Sequence, residues 1–237
     1  MIKGIEERRI ILRFENVALA ADPAGRSNSI DLRLRFLGGE LALIRVEKQQ
    51  QGTVLGDTCA GLEIPLKGEV SFLGKKWSQL PPDVANALRG RIGRVFARGN
   101  WLGHLSLLDN LLLPQLHHTR QPLAELRNEA ARLAEKFDLP GVPVGYAKDS
   151  LQTDLQRAAC VRAFLGQPML ILLEESSEGC FKEMMPNLIN SIREARNRGA
   201  AIIWLTSDKF IWRDLSIPAT RRYRLAGRRL MEVSRWR

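Results

Sequence analysis

The chain has 237 residues, 45% of them hydrophobic, which is enough core for one large domain or two small ones. Its formal charge is +10, with 36 Lys and Arg against 26 Asp and Glu, a surplus that suits nucleic acid or an anionic membrane surface as well as a solvated basic face. The charged opening "MIKGIEERR" argues against a secretory leader, and no apolar run approaches the roughly 20 residues of a membrane span, so a soluble, cytoplasmic chain is expected. The three cysteines, Cys59, Cys160 and Cys180, are isolated and lack metal-ligand spacing, which predicts buried reduced thiols and no metal site.

In chain order, residues 10–46 read as strands, with alternation in "IILRFENVALA" and "IDLRLRFLGGELALI" interrupted by the turn-rich "ADPAGRSNS". "GEVSFLGKKW" (68–77) predicts a strand pair, "PPDVANALRGR" (81–91) a short helix opened by proline, and "IGRVF" (92–96) a strand. Residues 104–137 are mostly helical by their three- and four-residue apolar spacing, and 151–166 form another helix. "PMLILLEE" (168–175) is a buried strand that ends in acids. "EMMPNLINSIREARNRG" is a helix stopped at Gly199, and "AAIIWLTSD" (200–208) is a second buried strand. Strands first, then alternating strand and helix, predict an α/β protein with a parallel-sheet core and an N-terminal antiparallel piece. Any site belongs at the carboxyl ends of the buried strands.

One such end is "GELALIRVEKQQQGTVLGDTCAGLEIP" (39–65), a strand, loop and helix in the setting of a phosphate-binding P-loop. The order and wording of the whole chain resemble the nucleotide-binding domain of ATP-binding cassette (ABC) transporters. "GGELALI" is similar to the strand before the family's P-loop, "AGLEIPLKGEVSFLGKKW" to the segment after it, and "RGRIGRVF" to the strand leading to the Q-loop. "QRAACVRAFLGQPMLILLEE" is similar to the signature helix running into the Walker B strand, and "AAIIWLTSD" to the strand before the switch histidine. The resemblance implies one domain over 1–237, with a helical subdomain over roughly 98–166.

Carried over residue by residue, the family's functional positions are mostly altered. Gly52 stands at the P-loop lysine and Thr53 at the magnesium-binding hydroxyl, while Val46 and Gln51 replace the framing glycines that let backbone N–H groups turn toward phosphates. No aromatic lies near Ala20 and Ala21, where the adenine platform belongs. Ala97 takes the Q-loop glutamine, and Ser150–Asp154 takes the LSGGQ signature. Glu174 stands at the magnesium aspartate, "SEGCF" (177–181) at the D-loop, and Ser207 at the switch histidine. Glu175 alone matches a catalytic position, that of the general base. Phosphoryl transfer rests on positioning and charge stabilisation, so the resemblance with these losses implies a catalytically degenerate pseudo-ATPase with no expected cofactor, and vestigial sites at Gly52, Thr53, Glu174 and Glu175.

The family's domains pair with each other and grip helices of membrane subunits. The resemblance therefore implies a cytoplasmic scaffold or regulatory partner beneath a permease, peripheral to the inner membrane, in a dimer with itself or another ABC subunit. Arg98, Trp101 and Leu102 are the candidate partner-binding residues, in the loop after the Q-loop. "DNLLLPQLHHTRQPLAEL" (109–126) is similar to a segment of the ATPase subunits of MCE-type lipid-transport complexes, which implies a lipid cargo. The alternatives are an active ABC ATPase using ATP and magnesium with divergent motifs, and a basic ABC-like protein that binds nucleic acid.

Overall fold

The computed structural model describes residues 9–20, 30–174 and 184–233. In chain order its elements are β1 (Ile10–Leu19), β2 (Ile30–Leu37), β3 (Leu41–Arg45), α1 (Gln49–Cys59), β4 (Lys67–Phe72), β5 (Lys75–Lys76), α2 (Pro82–Arg89) and β6 (Ile92–Val95). Three helices follow, α3 (Leu107–His118), α4 (Leu123–Lys136) and α5 (Gln152–Phe164). The remainder is β7 (Leu170–Glu174), α6 (Met185–Asn197), β8 (Ala201–Thr206), α7 (Lys209–Arg213), β9 (Arg221–Ala226) and β10 (Arg229–Glu232).

The strands form one sheet in the order β5-β4-β1-β2-β10-β9-β3-β8-β7-β6. From β9 to β6 every neighbouring pair is parallel. From β5 to β2 every pair is antiparallel. The β9–β10 hairpin joins the two halves, and β10 meets β2 through the single parallel pair Arg229 and Asp31. The expected parallel core and antiparallel N-terminal piece are thus two ends of one continuous sheet.

The central strands have apolar residues on both faces, as parallel strands covered by helices do. Alternation assigns each residue to a side. Leu41, Leu43, Ile171, Leu173, Ile202 and Trp204 pack in one core with the helices α3 to α6. Ala42, Ile44, Leu170, Leu172, Ile203 and Leu205 pack in the other, with Val54, Leu55 and Cys59 of α1 and the inner faces of β1, β2 and β4. Cys59 and Cys160 are buried free thiols, and burial pushes both pKa values up. Cys180 lies outside the described residues. Among the described residues no helix is long and apolar enough to cross a membrane.

α3, α4 and α5 are inserted between β6 and β7 and form a helical layer sealed by Phe137 against Phe164, their ring centroids 5.7 Å apart. Gln115 of α3 ties this layer to its surroundings by donating to the carbonyls of Gly90 and Leu165.

Candidate functional site

The loop after β3 is short. α1 already begins at Gln49, so Gly52 and Thr53 lie in its first turns rather than in a loop. Glutamine is a good helix former and glycine is not, so the run Gln49–Gln51 draws the helix back into the segment a P-loop leaves open. Gln51 completes the change. Its side-chain oxygen accepts from the backbone N–H groups of Glu47 and Lys48, both at 3.1 Å. These are N–H groups of the kind that a phosphate cradle presents. The sequence signal was available, since Gln three residues after an N-cap position is half of a capping box.

Gly52 needs no special conformation. A Cβ built there would find only Leu205 and Val46 side-chain carbons, each at 3.7 Å. The Thr53 hydroxyl points back along its own helix toward the Gln49 carbonyl at 3.5 Å.

Beneath α1, Glu174 closes β7 and is 5% exposed. Its carboxylate is held by the guanidinium Nε of Arg94, from the neighbouring strand β6. Arg94 Nη1 also donates to Asp57 of α1 at 2.6 Å, and the backbone N–H of Ala97 donates to Glu174. Arg94 lies over the Phe96 ring, 4.4 Å from its centroid. Burial weighs against the charge of Arg94, yet Glu174 and Asp57 together hold its pKa up. Burial pushes Glu174 up against the pull of Arg94. The contact is so close that a Cβ on Gly56 would meet the Glu174 carboxylate at 2.5 Å and Arg94 at 2.9 Å. Arg94 and Asp57 were not singled out in the sequence. The signal was a charged residue inside "IGRVF", which a buried strand tolerates only with a partner.

A magnesium–nucleotide complex fits this set of residues poorly. The backbone N–H groups of 47 and 48 are already capped, no lysine stands at 52, and the strand-end acid is bound to a guanidinium. Among the described residues no cluster of three or more metal-ligating side chains is present. Glu175 and the D-loop segment 177–181 lie outside the described residues, as does Ala21.

The signature position is the start of α5. Gln152–Asp154 forms its first turn, and no side chain caps it. Asp154 sits where the helix dipole favours an anion and pairs with Arg157 at 3.5 Å. Ser207 follows β8 and is half-buried.

The expected partner residues separate. Arg98 and Leu102 are exposed, whereas Trp101 is half-buried and turned against the helical core. The Arg162 guanidinium stacks 4.4 Å from the Trp101 ring centroid and donates to the carbonyls of Gly99 and Asn100. Burial lowers the pKa of Arg162 to about 10. A Cβ on Gly99 would collide with the indole at 2.5 Å, which explains why glycine precedes it. Trp101 is therefore built into the wall, and the open feature lies beside it. This is a groove of about 380 Å³ between α2, β6 and α3, lined by Ile92, Phe96, Pro114, His117, Arg89 and Arg162 among others. Burial, then His117 and Arg89, lower the pKa of His118 at its edge.

Parallel strands with a strand–loop–helix at one carboxyl end, a helical layer inserted after β6 and an antiparallel half that continues the same sheet make up the fold seen in solved ABC transporter cassettes. The chain has this fold and is similar in sequence to ATP-binding proteins of permeases and import systems. No family model matches it. It is 26% identical over 65% of its length to the nopaline permease ATP-binding protein P of Agrobacterium fabrum, and spans 64% of that protein, just under two thirds. It is 26% identical over 72% of its length to the glutamate/aspartate import ATP-binding protein GltL of Escherichia coli, of which it spans 70%. Among solved structures, a dimeric bacterial ABC transporter cassette superposes with a TM-score of 0.78 at 19% identity, covering 96% of this chain and 99% of that one. The ADP- and phosphate-bound post-hydrolysis dimer of the same cassette gives 0.76 at 21% identity, with the same coverage. At these identities the superpositions speak for the fold alone.

Proposed function

We propose that this chain is a catalytically degenerate ABC-fold subunit that serves as a scaffold or regulatory partner of a membrane transporter. The observation that carries this reading is the Gln51 side chain on the N–H groups of Glu47 and Lys48, which satisfies within the chain what a phosphate would otherwise satisfy. The Arg94–Glu174 pair supports it, because it supplies the strand-end acid with a fixed cation. In this reading the permease docks in the groove beside Phe96 and Pro114, with Arg98 and Leu102 at its approach, and the chain pairs with a second cassette at the cytoplasmic face of the membrane.

The relatives are, by their names, ATP-binding proteins of import systems and permeases for opines, amino acids and sulfate. Residues 109–126 favour lipid instead, through their similarity to MCE-type subunits. Co-purification of the membrane subunits distinguishes these cargoes.

The test is calorimetry of the full chain with MgATP. No saturable heat is expected up to millimolar nucleotide. Magnesium-dependent saturation would show that the loop opens to phosphate, and would replace this reading with an active ATPase of divergent motifs.

A further inference from the structure

We propose that the outer face of the antiparallel sheet carries a second anion site, built from Arg13, Arg33 and Arg35, that takes clustered phosphate groups. The proposal is independent of the functional reading above.

The strand register creates the site. Arg13 of β1 lies directly opposite Arg35 of β2. Arg33, two residues away on β2, shares the same face because strand side chains alternate. All three side chains are exposed, while Phe14 and Phe36 turn to the interior. The arginines line a groove of about 370 Å³, together with Glu15, Asn16 and the intervening backbone. This lies within the range of small-molecule sites. It sits where β1 is irregular, between Phe14 and Val17, and Asn16 has a positive φ of 51°. The segment Val46–Lys48 contributes nothing to its lining.

Charge makes the site more than a solvated face. Glu15 engages Arg13 at 3.1 Å and lines the groove itself, leaving a net surplus of two positive charges there. Arg33 and Arg35 have no ion-pair partner among the described residues. Like charges placed directly opposite across an antiparallel pair are destabilising, so Arg13 against Arg35 costs the free chain stability that a bound polyanion would restore. Guanidinium forks match phosphate oxygens in pairs. Bases are not the target, because the aromatic rings of these strands are buried and nothing remains on the outer face for a base to stack on.

The test uses the full chain with two probes, inorganic tripolyphosphate and vesicles containing phosphatidylglycerol. Tripolyphosphate is expected to bind the wild-type protein and raise its melting temperature. Arg33→Gln/Arg35→Gln should weaken that binding by about tenfold or more, the loss expected from removing charge-assisted hydrogen bonds, and should raise the melting temperature of the free chain. Arg120→Gln/Arg127→Gln on the helical layer removes the same charge and should leave the affinity within about twofold. Vesicle retention lost in the first variant identifies lipid headgroups as the source of the phosphates, and tripolyphosphate binding without vesicle retention identifies a soluble one. Equal weakening in both variants, unchanged binding in the first, or no binding of either probe would overturn the proposal.

Discussion

Arg94 holds a full charge inside a strand that is otherwise apolar, and its reason for being there is Glu174. A buried ion pair gains little over a well-packed apolar pair of the same size, but breaking it by removing one partner leaves an uncompensated charge. Arg94→Leu would leave Glu174 with only the Ala97 N–H, at a cost of about 3–5 kcal/mol. The double change Arg94→Leu/Glu174→Leu should return most of that loss, because Asp57 can turn to solvent. Urea denaturation of the two variants and the wild type reads both values. A single variant that loses less than about 1 kcal/mol would mean that Glu174 is not committed to Arg94. The same residues show where the sequence was legible. The acid at the end of "LILLE" was evident as a strand-end group, but its partner lies 80 positions away. Only the oddity of an arginine in a buried strand hinted that one existed.

At the scale of the element, α1 departs most from what its position in the fold implies. Two of its glycines look alike in sequence and differ in space. Gly52 has room for a methyl group against Leu205 and Val46, whereas Gly56 has none between the helix and the Arg94–Glu174 pair. Gly52→Ala should therefore stabilise the domain by about 0.5–1 kcal/mol through helix propensity alone. Gly56→Ala should destabilise it, because the Cβ must displace a buried ion pair. Thermal melts of the two variants should move in opposite directions. Both melts moving downward would mean that Gly52 does not sit in a wound first turn of α1 with room for a methyl group. The bounds of α2, α5 and β8 fall inside the expected segments 81–91, 151–166 and 200–208. The early start of α1 at Gln49 did not follow, because alignment on the P-loop pattern treated 46–51 as loop while local propensity favoured helix. Trp101 is half-buried against the helical layer, a placement the sequence did not show for a similar reason. Its loop position suggested a surface role, and the residue that covers it, Arg162, lies on a distant helix.

For the whole molecule, the proposed pairing with a second cassette has a consequence for turnover. In the proposed reading, with each nucleotide between the P-loop of one chain and the signature of the other, a homodimer of this chain would lack both halves at both sites. A heterodimer with an intact partner lacks one half at each. Little ATP hydrolysis is therefore expected from the purified transporter complex in either pairing, and Glu175→Gln should leave the rate unchanged. Robust turnover that collapses in Glu175→Gln would make Glu175 a working base despite the surrounding losses. The overall architecture was readable because it depends on the order of many elements, each weakly specified and all consistent. The centre was less readable because it depends on contacts between Gln51, Arg94, Glu174 and Asp57 that no local pattern encodes.

The single sheet also bears on how the chain is made. β1 and β2 belong to its first part, yet their hydrogen-bonded connection to the parallel strands runs through β10, the last element described. A chain emerging from the ribosome can form the antiparallel β4-β1-β2 group early, can pair β7 with β6 later, and can join β3 to them once β8 is available. The ladder between the two halves cannot close until residue 229 is available. Until then, the outer edges of β2 and β9 stay unpaired and open to other strands. Synthesis stalled or cut short before β10 would thus release a molecule that is largely formed and prone to edge-to-edge association.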